Sequence, residues 1–490
     1  MQVLLLTEAP PRSAATGPAS GPVARADAAP IIVRGRSGAA LSSGPDGALV
    51  AFRGRVANLG HPSRGQSFAL ARLLEGGDTE DALTDLVVGE STPRMAEWYC
   101  MMGTLADIGA IEWVVRDGGE DLARLIPIGS GFRPALDRFD PHRPHALSSF
   151  AFLRRDGAHW CMESPLSSAR VELLGPGAAV LVDLPGGTSP GMIAPGGLEP
   201  GLVESVLRLL DAAGFLGIAA ADGECNGDEA ARAAGWAFHD ALFHFRSRPG
   251  RHDAHVGVRP GAAPPVPLPR PRPFDAAARV ELPVPNRAWI TAVDPPFSEV
   301  LERRRSRRSY AARPIELEQL SELLFRTAAD RPDENNPGMV RRTYPSGGGC
   351  YPLEIYAVAH RCHGLARAVY RYEPSAHALD RIPTPERTLD ALLACYRGKA
   401  VQDEIQVLLL VTLVPERVNR RYGAIGYGLA LKEVGGLFQS WYLVATAMGL
   451  APCAVGTGDV EAAARALGLD PLHECAVGEF AVGSAPARGD

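Results

Sequence analysis

The sequence predicts an α+β protein of several domains, and three observations carry that reading. A proline-rich stretch interrupts the chain at 260–274, three short helices lead into a strand over 68–115, and a glycine loop at 347–349 feeds a run of β-formers at 353–359. At 490 residues the chain exceeds one compact core, and ordinary domain sizes suggest about two to four.

The proline-rich stretch, PGAAPPVPLPRPRPF, sustains neither a helix nor an interior strand, because proline lacks the amide donor. It is the main boundary. Residues 1–30 are rich in Ala, Pro, Gly and Ser and are expected to be poorly ordered. The expected division is then 31–135, 136–259, a linker over 260–285, and a last domain over 286–490.

Within 31–135, residues 68–74 and 82–88 read as short helices, and Thr92-Pro93 offers an N-cap followed by proline at the first helical position. Met95, Trp98, Tyr99, Met102, Leu105 and Ala106 recur at helical spacing, and Gly109 ends the helix before the strand-like Ile111 to Val115. Three helices and a strand form a winged-helix-like pattern. A weaker echo, Leu210/Gly214/Leu216 after Leu105/Gly109/Ile111, suggests a second such unit in 136–259, although a common helix stop would look the same. Neither candidate recognition helix carries an Arg/Lys cluster for DNA, so both domains are read as peptide clamps that add an extended peptide at a strand edge. His239, His244, His252 and Asp253 alternate with apolar residues, which suits a helix docked on the catalytic domain better than a metal site.

Composition narrows the classes further. With 46% hydrophobic and 22% charged residues the chain is a folded globular protein, and its net charge of -6 provides no basic field for nucleic acid. The eight cysteines form neither C-x-x-C pairs nor zinc-ligand spacings, so no metal is expected. No apolar stretch approaches the ~20 residues that span a bilayer. The run after Met1 is short, lacks a cationic region and is followed by Glu8 and Pro10. A cytoplasmic location without an export signal is expected.

The chemistry-bearing motifs lie in the last domain. Arg304, Ser306 and Arg308 alternate along an extended segment, so two guanidinium forks and a hydroxyl can face one anion, though an arginine cluster alone can equally be a solvated face. In Tyr344-Pro345-Ser346-Gly347-Gly348-Gly349-Cys350-Tyr351-Pro352, glycines let the backbone approach a flat ligand, and prolines fix the loop on both sides. An apolar helix over 431–450 fits an ordinary core or a dimer interface.

Together with Arg421-Tyr422-Gly423, Gln439-Ser440 and Val455-Gly456-Thr457-Gly458, these motifs resemble the azoline dehydrogenase (SagB-type) branch of the FMN-dependent nitroreductase superfamily over roughly 290–485. The resemblance extends to 239–253, which is similar to the N-terminal extension of long members. It implies FMN, with its phosphate on Arg304, Ser306 and Arg308, its ring along Pro345, Ser346, Gly347 and Gly348, and Gln439, Gly456 and Gly458 completing the cofactor site. It also implies a homodimer, an azoline-containing precursor peptide as substrate and a cyclodehydratase as partner. A Lys-Tyr doublet associated with proton removal in that branch corresponds here to Arg421-Tyr422. Arginine remains cationic, so Tyr422 is the expected base and Arg421 an orienting group.

The expected reaction is oxidation of azolines, thiazoline ahead of oxazoline, to azoles, with O2 as acceptor. The alternatives are an NAD(P)H-dependent nitro or quinone reductase, or a non-catalytic scaffold presenting peptide to a cyclodehydratase.

Overall fold

A computed structural model describes residues 28–45, 47–89, 91–181, 197–254, 257–258, 278–396 and 404–486. The chain divides into two compact units, Met1–Ala254 and His255–Asp490. Residues 1–27 and 259–277, which include most of the low-complexity and proline-rich stretches, lie outside the described residues.

The first unit opens with strands β1 (Ile31–Gly35), β2 (Ala40–Gly44), β3 (Gly47–Phe52) and β4 (Arg55–Asn58). Helices α1 (Arg64–Glu75), α2 (Glu80–Val88) and α3 (Thr92–Asp107) lead into the hairpin β5 (Ile111–Asp117) and β6 (Glu120–Pro127). Strands β7 (His145–Leu147), β8 (Phe152–Asp156), β9 (His159–Glu163) and β10 (Ala169–Leu173) come next. Helix α4 (Pro200–Ala212), strand β11 (Leu216–Ile218), and helices α5 (Glu229–Ala233) and α6 (Phe238–Arg246) complete it.

Caps set these helices. Ser63 and Gln66 form a capping box that starts α1 four residues before the apolar pattern begins, and Thr79 accepts the Ala82 amide at the head of α2. In α3 the buried stripe is Trp98, Met101, Leu105 and Ala106, so the face expected from Met95, Tyr99 and Met102 is rotated. Tyr99 is instead 58% exposed. With Leu83, Trp98, Met102 and Trp113 it lines a cavity of about 290 Å³.

One antiparallel sheet of order β1-β5-β6-β10-β9-β8 joins strands from both sides of the boundary expected after residue 135. That boundary does not divide the structure, because Ala169 to Leu173 of β10 pair directly with Pro127 to Ala123 of β6. The echo near Gly214 is a shared helix stop. Gly109 and Gly214 both take positive φ, at 73° and 74°, while the following amides of Ala110 and Phe215 return to Leu105 and Leu210. Helix α6 docks within its own unit, where Phe238 meets Phe152 edge-on and Arg246 pairs with Glu163 at 3.2 Å.

The second unit begins with β12 (Arg279–Glu281), α7 (Arg287–Val293), α8 (Phe297–Arg303), β13 (Ile315–Glu316) and α9 (Leu317–Ala328). Short strands β14 (Arg331–Pro332) and β15 (Val340–Arg341) precede β16 (Leu353–Ala359), β17 (Cys362–His363), β18 (Ala368–Glu373) and β19 (Ala378–Ile382). Helix α10 (Glu386–Ala394), strand β20 (Val407–Leu413), and helices α11 (Pro415–Tyr422) and α12 (Gly426–Ala447) follow. The unit ends with β21 (Leu450–Val455), α13 (Val460–Leu467) and β22 (Cys475–Ser484).

Its sheet has the order β12-β19-β18-β16-β20-β22-β21, and every pairing in it is antiparallel. β12 falls inside the expected linker yet is part of this sheet, held by Arg279 on the fully buried Asp380 at 2.7 Å. Strands β16 and β20 are buried along their whole length, as expected for largely apolar and β-forming runs enclosed on both faces, with Glu354 the one charged residue in either. Helix α12 lies in the core. Its Trp441 is fully buried, donates to Thr327 Oγ1 at 3.0 Å and packs on Phe438 and Phe480.

Candidate active site

Two clusters in the second unit gather most of the residues singled out by sequence, and α12 contributes to both, while Gly456, Gly458 and Gln439 lie outside them. The first is basic. After α8 ends at Arg303 the chain runs without regular structure, and the Arg307 amide donates to the Pro452 carbonyl of β21 at 2.8 Å. This anchor brings the Arg304 guanidinium over the Tyr442 ring, 5.2 Å from its centre, and the Ser306 hydroxyl to 2.7 Å from the Tyr442 hydroxyl. Tyr442 in turn accepts the Ala454 amide at 2.7 Å, which locks α12 to β21. Arg308 is exposed and lies near Cys453, where its charge partly offsets the burial that raises the thiol pKa. The structure brings Arg304 and Ser306 together at Tyr442, a cation and a hydroxyl suited to a phosphate, and places Arg308 beside Cys453.

The second cluster surrounds the glycine loop. Pro345 packs on Gly436 of α12, where an added Cβ would lie 3.3 Å from the proline ring. Gly347 donates its amide to Glu433 Oε1 at 2.8 Å, and Ser346 Oγ accepts the Tyr351 amide at 2.8 Å. Gly348 has φ of 58° and ψ of 21°. A side chain there would be strained, and its Cβ would meet the Tyr422 hydroxyl at 2.6 Å and Arg421 Nε at 2.8 Å. The glycines thus leave room for Arg421 and Tyr422 to close over the loop.

Those two residues end α11, and a buried ion pair sets the helix. Arg417 reaches Glu354 at the start of β16 at 2.6 Å, with Val418 fully buried beside it. Gly423, with φ of 57°, then turns the chain immediately after Tyr422. The Arg421 guanidinium lies 5.9 Å from the centre of the Tyr422 ring. Its Nε and Glu433 Oε2 are buried polar atoms without a hydrogen-bond partner.

At the far end, Gly456 and Gly458 sit in the exposed turn between β21 and α13. A Cβ on Gly458 would overlap the Glu479 carboxylate at 2.1 Å, so this turn admits no larger residue without moving that group. Burial pushes the Glu479 carboxyl up to about 7. Gln439 lies on the exposed side of α12, three residues before Tyr442. Among the described residues no group of His, Cys, Asp and Glu is arranged to hold a metal ion. No described helix is long and apolar enough to cross a membrane.

The residues of these clusters that sequence reasoning missed are Glu433, Tyr442 and the pair Arg417–Glu354. One signal was present for Glu433, since Lys432 and Glu433 are the only charged residues in the 22 residues of α12.

The nitroreductase family model matches residues 301–484. A nitroreductase-type relative from Methanocaldococcus jannaschii is 35% identical over 160 residues, covering 33% of this chain and 78% of the relative. The chain belongs to the nitroreductase family. A second model, that of the cyanobactin oxidase ThcOx, matches residues 145–253 of the first unit. The microcin B17-processing protein McbC of Escherichia coli is 31% identical over 138 residues, covering 26% of this chain and 48% of McbC, so the chain spans about half the length of that relative.

Two solved structures show weaker overall likeness. A nitroreductase of Ralstonia eutropha is 23% identical, covering 46% of this chain and 98% of its own with a TM-score of 0.35. A chain of the E. coli microcin synthetase McbBCD complex is 24% identical, covering 37% of this chain and 71% of its own with a TM-score of 0.32.

Family membership makes the chain an oxidoreductase and supports FMN as its cofactor. The site fits that group. Arg304 and Ser306, meeting at Tyr442, offer a cation and a hydroxyl for its phosphate, a Cβ on Gly348 would close the space under Arg421 and Tyr422, and two buried polar atoms beside the loop lack partners.

Proposed function

We propose that the protein is an FMN-dependent dehydrogenase that oxidises azoline rings, thiazoline ahead of oxazoline, in a ribosomally made precursor peptide to azoles, with O2 as final acceptor. The observation that carries this reading is the Arg421-Tyr422 pair closed over the glycine loop, in a chain similar to both McbC and ThcOx. FMN, when bound, supplies the two-electron acceptor for hydride leaving the former Cβ. Tyr422 stands as the group that takes the proton from the former Cα, its hydroxyl projecting over Gly348. Arg421, cationic and with Nε unpartnered, orients a peptide carbonyl. Arg304, Ser306 and Arg308 hold the phosphate, while Pro345, Ser346, Gly347, Gly348 and Gln439 line the ring, and Gly456 and Gly458 close the far end.

The first unit fits peptide capture. Strand β4 is an edge of the sheet β2-β3-β4, and the cavity beside Tyr99 offers apolar surface next to α3. Tethering the precursor there would raise the local concentration of each ring at the active site, and a cyclodehydratase is the partner that would supply the azoline. The test is mass spectrometry of an azoline-bearing precursor incubated in air with the flavin-loaded protein. A loss of two hydrogens per ring without NAD(P)H is expected, whereas turnover only of nitro or quinone compounds with NAD(P)H would replace this reading with that of a general reductase.

A homodimer belongs to the same proposal. Trp289 and Val293 on α7, with Phe297 and Leu301 on α8, are 57%, 50%, 66% and 46% exposed. Burying one such side chain contributes ~1.5–3 kcal/mol, and a two-fold interface counts it twice. Trp289→Ser or Phe297→Ser is therefore expected to raise the dimer dissociation constant by about two decades or more, as measured by sedimentation. An unchanged dimer in both variants would place the interface elsewhere.

A further inference from the structure

Glu433 is a carboxyl that the proposed chemistry has not used. It is 4% exposed, in a helix whose only other charged residue is Lys432. Oε1 accepts the Gly347 amide at 2.8 Å, whereas Oε2 is buried without a hydrogen-bond partner. An unpaired buried carboxylate oxygen is costly and calls for a function.

The neighbours of Glu433 define what it can do. Arg342, the cation that acts on it, is already bonded to Asp330 at 2.8 Å and to the Tyr344 hydroxyl at 3.0 Å. The glycine loop presents Ser346, Gly347 and Cys350, and α11 presents Arg421 and Tyr422. Glu433 Oε1 and Tyr422 Cε2 would each lie 3.6 Å from a Cβ on Gly347, and the Tyr422 hydroxyl rests on the next residue, Gly348. The two side chains therefore meet the same two-residue stretch of backbone. Burial pushes the Glu433 carboxyl up to about 7, against the opposing pull of the Gly347 amide, the Ser346 hydroxyl and Arg342. A group in that range exchanges a proton at working pH.

We propose that Glu433 is the proton store of this site, taking through Tyr422 the proton that the substrate ring loses. The proposal rests on the azoline reading. A phenol can accept a proton only if its own can leave, and Glu433 provides the destination. The Cα–H bond breaks and its proton goes to the Tyr422 oxygen as the phenolic proton passes, through an intervening water, to the Glu433 carboxylate, whose oxygens do not bond the phenol directly. The electron pair of that bond becomes the ring double bond between the former Cα and Cβ, and the Cβ hydrogen leaves with its pair to the bound flavin. Glu433 is then neutral and returns its proton to solvent. It acts through Tyr422 and is a positioning residue rather than a catalytic one.

The test uses the full-length flavin-loaded protein and a synthetic thiazoline peptide, following flavin bleaching in single turnovers across pH. A proton store must be ionised to accept, so the wild-type rate should rise through about 7 to a plateau and fall as pH drops. Glu433→Gln keeps an oxygen for the Gly347 amide, so flavin content and melting temperature should hold. The rate should fall roughly 10²-fold or more and lose its acid limb. Infrared difference spectra of the resting protein should show a protonated carboxyl band that titrates near 7 and is missing in the variant. Glu433→Asp should partly restore the acid limb.

An unaltered rate and acid limb in Glu433→Gln, with wild-type turnover intact, would overturn the proton store alone. Flavin loss with the acid limb retained would overturn it in favour of a role in holding the loop. Wild-type protein that oxidises no thiazoline peptide at any pH would overturn the azoline reading and this inference with it.

Discussion

Tyr422→Phe is expected to slow single-turnover oxidation of an azoline peptide by about 10²- to 10⁴-fold, the usual contribution of a positioned acid–base group. The substitution removes only the hydroxyl. The ring remains against Gly347, and Arg417 continues to hold α11 on Glu354 at 2.6 Å, so flavin content and peptide affinity should stay close to wild type. This split between turnover and binding separates a chemical role from a packing role, since loss of packing would lower all three together. Arg421→Lys should be tolerated because a cation remains at the loop, whereas Arg421→Ala should be slower. A wild-type rate in Tyr422→Phe would move the proton acceptor to another group while leaving the fold and the cofactor site in place.

Arg304→Ala and Arg308→Ala should each purify with depleted flavin. A charge-assisted hydrogen bond to phosphate contributes about 1.5–3 kcal/mol, which is roughly one to two decades in affinity. The two variants should differ in their side effects. Arg304 lies over the Tyr442 ring, whose hydroxyl contacts Ser306 and the Ala454 amide, so its loss also loosens the join between α12 and β21. Arg308 is exposed, and its removal should leave the melting temperature of the flavin-free protein unchanged. Flavin content measured by absorbance after denaturation decides the matter, and full occupancy in the double variant would place the phosphate elsewhere.

Much of the second unit was legible because its signals are local. Leu353 to Ala359 reads as a buried strand from a run of apolar and β-forming residues broken only by Glu354, and β16 has those bounds. The long apolar helix was legible, but its ends were displaced. Gly426-Tyr427-Gly428 looks like a helix breaker, yet these residues form the first turn of α12 because Gly426 is buried tightly against Asn419 and Val418. Gly449, with φ of 71°, ends the helix before Leu450 enters β21.

The site residues that escaped notice depend on partners distant in sequence. Glu433 bonds an amide 86 residues away, and Arg417 bonds a carboxylate 63 residues away. A single acidic residue at one helical position reads as solvated surface until the loop that covers it is known. In the first unit, the pairing of β6 with β10 across the expected boundary involves backbone groups that carry no composition signal.

Strand β12 has a bearing on how the halves of this protein can be separated. Its three residues cover the open edge of β19, and Arg279 neutralises the buried Asp380. Severing the chain after Glu281 would strip that edge and leave the buried Asp380 with Arg371 as its one remaining cation among the described residues, at 3.3 Å, turning β19 into a template for association with other chains. Severing it before Ala278 leaves the edge sealed. A gene fragment beginning a few codons too late would yield insoluble protein for a reason unrelated to the flavin or the catalytic residues, and the remedy would be to restore three residues rather than a domain.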